Sequence, residues 1–164
     1  MIAAEILSLS RAKGIRIATA ESCTGGMIAA ALTDIAGSSD VFDRGFVTYS
    51  NDAKTDMLGV KPETLAVHGA VSEQIAVEMA AGALSHANAT LTVATTGIAG
   101  PGGSEFKPEG RVCFGVALQG QPIRTLTVEF GRIGRSAVRA AATEYALGLL
   151  LTALEQPPHP TKTD

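Results

Sequence analysis

Residues 15–37 read IRIATAESCTGGMIAAALTDIAG, a strand delivered into a helix through a short polar turn. Residues 15–20 are mostly branched and small apolar side chains, which predicts a short strand. Met27, Ile28, Ala31, Leu32 and Ile35 then recur on one helical face, which predicts a helix over 24–36 that stops at Gly37. The turn between them, Ala20-Glu21-Ser22-Cys23-Thr24-Gly25-Gly26, places small polar groups and two glycines where a strand end meets a helix start. That juncture sets the α/β class, and it is where open α/β sheets hold their sites.

Toward the N-terminus, Ile2, Ile6 and Leu9 give residues 2–13 an amphipathic helical pattern, closed by Gly14 in the position that favours a left-handed residue. Downstream, residues 45–50 (GFVTYS) predict a second strand, and residues 51–58 a short helix ending at Gly59 and carrying Lys54. Ser72 is a suitable N-cap for a longer helix to about His86, with Ile75, Met79, Ala80, Ala83, Leu84 and Ala87 as its buried stripe. Residues 90–96 (TLTVATT) predict the third strand.

A glycine- and proline-containing loop over 97–110 separates that strand from another at 111–118, and loops of such length are usually functional. The strands at 111–118 and 123–130 are joined by Gln119-Gly120-Gln121-Pro122, too short for a helical crossover, so they should pair antiparallel. A last helix over 135–154 places Val138, Ala142, Tyr145 and Leu149 on one face, and the prolines at 157, 158 and 160 end it. The expected architecture is one three-layer α/β/α domain over 1–156, on a mixed, mostly parallel sheet of about five strands, with a disordered tail at 157–164.

The composition narrows the function classes. With 164 residues, 46% hydrophobic and 18% charged, the chain fits one compact core. Trp is absent and the formal net charge is −3, so neither a base-stacking surface nor a basic nucleic-acid footprint is expected. No stretch comes near the roughly 20 consecutive apolar residues of a membrane span and no export signal is visible, so a cytoplasmic protein with no membrane partner is expected. Cys23 and Cys113 lie far apart and should be reduced; His68, His86 and His159 lack zinc-site spacing, so no metal is expected.

Ser22, after a strand and before a helix, stands where free N–H groups and the helix dipole favour an anion, which suits a nucleophile. The plainer reading is that Ser22 or Thr24 caps the helix. Cys23 is a rival nucleophile, since a helix N-terminus lowers a thiol pKa, against the commoner role of a small buried side chain. Glu21 is a base or an acceptor for nearby backbone donors. Lys54 serves as a base near neutral pH only if burial or nearby positive charge lowers its ordinary value of about 10.4; otherwise it is an exposed helical lysine. Tyr49 either relays a proton or offers its ring face to a substrate, or simply packs. The glycine loop from Gly97 lacks both the Walker ending and the dinucleotide-binding spacing.

Taken together, Ala20 to Gly26, Gly37-Ser38-Ser39, Val47-Thr48-Tyr49-Ser50-Asn51 with Ala53-Lys54, Gly69-Ala70-Val71-Ser72, and Thr96 to Gly103 resemble the CinA C-terminal domain family, also known as the nicotinamide-nucleotide amidohydrolase (PncC) family, in its stand-alone form. The blocks cover about residues 5 to 153. The resemblance implies the same three-layer fold and deamidation of nicotinamide mononucleotide to nicotinate mononucleotide and ammonia, without a cofactor. It implies Ser22 as nucleophile, Lys54 as its partner and Tyr49 in support. It further implies substrate-binding roles for Ser39, Thr96, Gly97 and Arg135; Thr24, Gly25 and Gly26 join them as a candidate oxyanion turn, an alternative to donors around Gly97. Members commonly carry Gly-Asp-Arg where this chain reads Ile133-Gly134-Arg135. A homo-oligomer, dimer or higher, acting on a small-molecule nucleotide is the expected working form. The alternative is a nucleotide-binding or regulatory module of the same fold that performs no turnover.

Overall fold

The computed structural model describes residues 1–104 and 106–157. The tail expected at 157–164 therefore lies, from Pro158 onward, outside the described residues. The elements run α1 (Ile2–Lys13), β1 (Ile17–Glu21), α2 (Met27–Thr33), a 3₁₀ turn (Ser38–Asp40), β2 (Phe42–Val47), α3 (Asn51–Leu58), α4 (Pro62–His68), α5 (Glu73–His86), β3 (Leu91–Gly97), β4 (Arg111–Leu118), β5 (Arg124–Glu129) and α6 (Arg135–Glu155).

The five strands form one sheet in the order β2-β1-β3-β4-β5. β1 pairs parallel with both β2 and β3, while β4 pairs antiparallel with β3 and with β5, as the short connection at 119–123 requires. Strand direction is thus mostly parallel, with β4 alone reversed. The alternation of side chains along the strands feeds two cores. Ile17, Val93 and Phe114 meet α1, α2 and α6 through Ile6, Leu32 and Leu150. Ala20, Ala94 and Ala117 face α5 and the end of α3 through Ile75, Met79 and Leu58.

The second face is built of small residues, which lets α5 lie close to the sheet. A Cβ on Gly115 would meet the Ala76 carbonyl oxygen at 2.5 Å, so this strand position admits only glycine without a backbone shift. By length and composition alone α6 is long and apolar enough to cross a membrane, although Arg139 and Glu144 interrupt its apolar run. Its apolar residues Val138, Ala142, Leu147, Leu150 and Leu154 are instead buried in the first core.

Several boundaries differ from the sequence reading for local physical reasons. The helix expected from Thr24 begins at Met27, because Gly25 (φ 59°) and Gly26 (φ 103°) occupy left-handed conformations that interrupt a helix. The second strand lies at 42–47 instead of 45–50, and residues 48–50 form the turn into α3, whose start Ser50 caps by accepting from Ala53 N at 3.0 Å. On α6, Tyr145 is partly exposed and stacks at 4.9 Å between centroids on Phe114, while Ala146 and Leu147 take the core positions. α4, seven residues with none buried, is an element the apolar pattern does not announce.

Candidate active site

The carboxyl ends of β1, β2 and β3 lie side by side, and the chain leaves β1 and β2 toward opposite faces of the sheet, to α2 and α3. This divergence opens a crevice at the strand ends. Ser22 is the first residue past β1 and continues the ladder, its N–H donating to Thr95 O at 3.0 Å. Lys54, one turn into α3, reaches back beneath it. Its Nζ lies 3.1 Å from Ser22 Oγ and 3.0 Å from Thr48 O, with Tyr49 O at 3.4 Å.

Lys54 is only 1% exposed, among the largest fully buried side chains of the protein. A surface lysine is therefore the wrong picture for this helix. No carboxylate lies within ion-pair distance of it among the described residues. Burial lowers its pKa from the ordinary lysine value, opposed by the nearby Cys23 side chain. A neutral amine has a lone pair to accept the Ser22 hydroxyl proton, and the 3.1 Å separation is hydrogen-bond reach for that transfer.

The neighbours of Ser22 are structural. Glu21, fully buried, accepts from Ile28 N at 2.9 Å, Ala29 N at 3.1 Å and Thr24 Oγ1 at 2.7 Å, so its carboxylate holds the start of α2. Thr24 turns inward to Glu21 and Thr95 with no exposure. It does not line the cavity, and neither do Gly25 and Gly26, whose positive φ angles shape the turn. Cys23 is 5% exposed and its thiol is pushed up to about 12, chiefly by burial, which removes it as a nucleophile near neutral pH.

A cavity of about 410 Å³ opens over Ser22 and Lys54. Thr96 and Gly97 form one side at the end of β3, with Thr96 Oγ1 donating to Ala70 O at 2.8 Å. Arg135, the first residue of α6, crosses the mouth: Nη1 donates to Gly100 O and Nη2 to Tyr49 Oη, both at 2.7 Å. The guanidinium that follows Gly134 is thus held by the glycine loop and the tyrosine. Tyr49 itself is 60% exposed, its ring at the rim instead of in the core.

Ser39 is not brought to this cavity. It sits exposed in the 3₁₀ turn before β2, at the amino end of the strands whose carboxyl ends carry the site. Two residues that spacing does not single out do belong to the site. Arg139 donates from Nε to Cys23 O at 3.1 Å, pinning the turn after the serine to α6. Lys107 lines the cavity from the glycine loop, with Nζ donating to His68 O and Val71 O at 2.6 Å each. Among the described residues no group of three or more His, Cys, Asp or Glu side chains converges as metal ligands.

Fold and site together define a mixed-sheet α/β protein with a buried serine–lysine pair in a cleft at the ends of its parallel strands. The family model for the CinA C-terminal domain matches residues 1–154. The nicotinamide-nucleotide amidohydrolase PncC of Escherichia coli strain K12 is 56% identical over 142 residues, 85% of each chain. The protein of the same name from Enterobacter agglomerans is 53% identical over 148 residues, 89% of each. The crystal structure of the competence/damage inducible protein CihA from Agrobacterium tumefaciens superposes with a TM-score of 0.90 at 51% identity, covering 94% of both chains. The chain belongs to the CinA C-terminal domain family, and relatives this similar make it an enzyme of the amidohydrolase class.

Proposed function

We propose that the protein deamidates nicotinamide mononucleotide to nicotinate mononucleotide and ammonia through a covalent acyl-enzyme on Ser22. The observation that carries this reading is a buried lysine amine, without a carboxylate partner among the described residues, 3.1 Å from a serine hydroxyl at the base of a nucleotide-sized cavity. The relatives named for this reaction, at over half identity across most of both chains, support the substrate.

Neutral Lys54 accepts the Ser22 proton as Oγ attacks the carboxamide carbon, and the resulting ammonium returns that proton to the departing nitrogen. Ammonia leaves. Lys54 takes a proton from water as the oxygen attacks the ester and returns it to Ser22 Oγ as the acyl–Oγ bond breaks, releasing the acid, which ionises to the carboxylate. The N–H of Cys23, the first after the nucleophile, is bonded to no carbonyl among the described residues and is a candidate donor to the oxyanion. A donor so placed contributes about 3 kcal/mol to the barrier reduction.

The fixed pyridinium charge of the substrate next to Lys54 disfavours its ammonium form, which holds the base neutral when substrate is bound. Tyr49 presents its ring at the rim to a flat cation, and Arg135 offers its remaining N–H groups to the phosphate. Glu21 keeps the strand-to-helix turn in register, so that Ser22 Oγ stays above Lys54.

Purified protein incubated with nicotinamide mononucleotide, followed by chromatography, tests the reading. Nicotinate mononucleotide and ammonia should form in equal amounts, and at the same rate with or without a chelator. Binding of the nucleotide without product would identify a nucleotide-binding module instead, and loss of activity with chelator would overturn the metal-free mechanism.

A further inference from the structure

The glycine loop over 97–110 contains a small hairpin of its own. Ser104 N donates to Lys107 O at 3.1 Å and Lys107 N to Ser104 O at 2.7 Å, so the backbone of Lys107 is fixed and its side chain lies against the connection between α4 and α5. An ammonium carries three N–H donors. Two of those on Lys107 go to the neutral carbonyls of His68 and Val71, and neither contact cancels its charge. Among the described residues no further acceptor is bonded to it, which leaves the third donor to a ligand in the cavity that Lys107 lines.

Arg135 is held in the same way, by the Gly100 carbonyl and the Tyr49 hydroxyl, and it enters from α6 in the opposite helical layer. The cavity walls therefore carry Lys107 and Arg135 above the buried Lys54, and no acidic side chain among the described lining residues. In a protein of net charge −3, that is a local inversion of sign, and a cleft with low-dielectric walls focuses it. A phosphate dianion needs two cations for full compensation, and Arg135 supplies one.

We propose that Lys107 is a specificity-determining residue: with Arg135 it forms a two-cation clamp that selects the phosphate of the nucleotide over the corresponding nucleoside. The clamp rests on the reading of this cavity as a pyridine-nucleotide site. It makes phosphate recognition depend on the glycine loop as well as on α6, and it explains why this loop is pinned by a lysine to the far wall.

The test is a binding cycle in the non-turnover Ser22→Ala protein, in which nicotinamide mononucleotide and nicotinamide riboside are titrated calorimetrically against Lys107, Lys107→Met and Lys107→Arg forms. Loss of one charge-assisted hydrogen bond predicts that Lys107→Met weakens the mononucleotide about tenfold or more, while the riboside changes by less than about twofold. Lys107→Arg should keep most of the preference. An equal loss for both ligands would show that Lys107 only ties the loop down, and no loss for either would remove it from the site; each result overturns the clamp. Ammonia release by the wild-type protein is measured separately. Its absence would defeat the proposed reaction while the phosphate preference, a binding result, still stands or falls alone.

Discussion

Replacing Lys54 with Met should make the protein more stable and inactive, and the stability gain should depend on pH in a defined direction. Lys54 is 1% exposed and has no carboxylate partner among the described residues, so its charged form is desolvated in the native state. Burial lowers its pKa in the folded protein. Between that lowered value and the ordinary lysine value of about 10.4, the unfolded chain carries the Lys54 proton and the folded chain does not, so native stability rises with pH at about 1.4 kcal/mol per unit. Below the window both states are protonated and the penalty is constant and largest; above it both are neutral and the penalty is gone.

Methionine matches the lysine stem in volume and titrates nowhere, so Lys54→Met lacks this term. All other groups titrate alike in both proteins, so the difference in unfolding free energy isolates Lys54. Urea unfolding at a series of pH values from 6 to 10.5 should show Lys54→Met ahead at the acid end and its advantage shrinking as pH rises. Loss of the Nζ contact to the Thr48 carbonyl subtracts a constant of about 1 kcal/mol without changing the slope. A difference that stays flat with pH would show that Lys54 titrates as an ordinary lysine, and the general-base assignment would fall with it.

Three further outcomes follow from the geometry. With its thiol raised to about 12, Cys23 should resist iodoacetamide at pH 8 in the folded protein and react in denaturant, and Cys23→Ala should keep wild-type turnover; rapid native labelling that stops activity would reverse this. Glu21→Ala leaves the donors on Ile28, Ala29 and Thr24 without their acceptor, so unfolding in urea should show a loss of about 3 kcal/mol, and a loss under 1 would contradict the structural role given to that carboxylate. Arg135→Met removes a cation and releases Tyr49, so KM for the mononucleotide should rise about tenfold or more with a smaller change in kcat; an unchanged KM would exclude Arg135 from binding.

The elements that could be read in the sequence were those whose own residues set them. Gly14 and Gly59 close α1 and α3 in left-handed conformations, Ser72 caps α5 by accepting from Ile75 N, and the short connection between β4 and β5 leaves no topology but a hairpin. α4 escaped because its seven residues bury none and so leave no apolar stripe. The start of α2 falls three residues later than the apolar pattern predicts, because the turn contains two glycines whose φ values only the folded structure reveals.

The site was legible as a set of blocks, but the physics that makes it reactive is long-range. Lys54 reads as a surface residue along α3, and it is buried because α3 crosses beneath the end of β1, 32 residues earlier in the chain. Arg139 and Lys107 meet the site through bonds spanning 116 and 36 to 39 residues, with no local pattern to mark them. Thr24 reads as a helix cap or part of an oxyanion turn, and its side chain turns inward because Glu21 and Thr95 offer it buried partners. Ser39 lies near Ser22 in sequence but at the other end of the sheet, since β2 must run its full length before returning to the site.

The central claim is that Ser22 and Lys54 act as one nucleophilic unit, and the most direct test is turnover of nicotinamide mononucleotide by Ser22→Ala, Lys54→Met and the double variant, each shown to be folded. Residues that act as a unit lose nearly as much singly as together, so all three should fall by a similar factor of about 10⁴ or more in kcat. A Ser22→Ala or Lys54→Met protein that keeps more than about a tenth of wild-type kcat, or single losses that simply multiply in the double variant, would contradict the account.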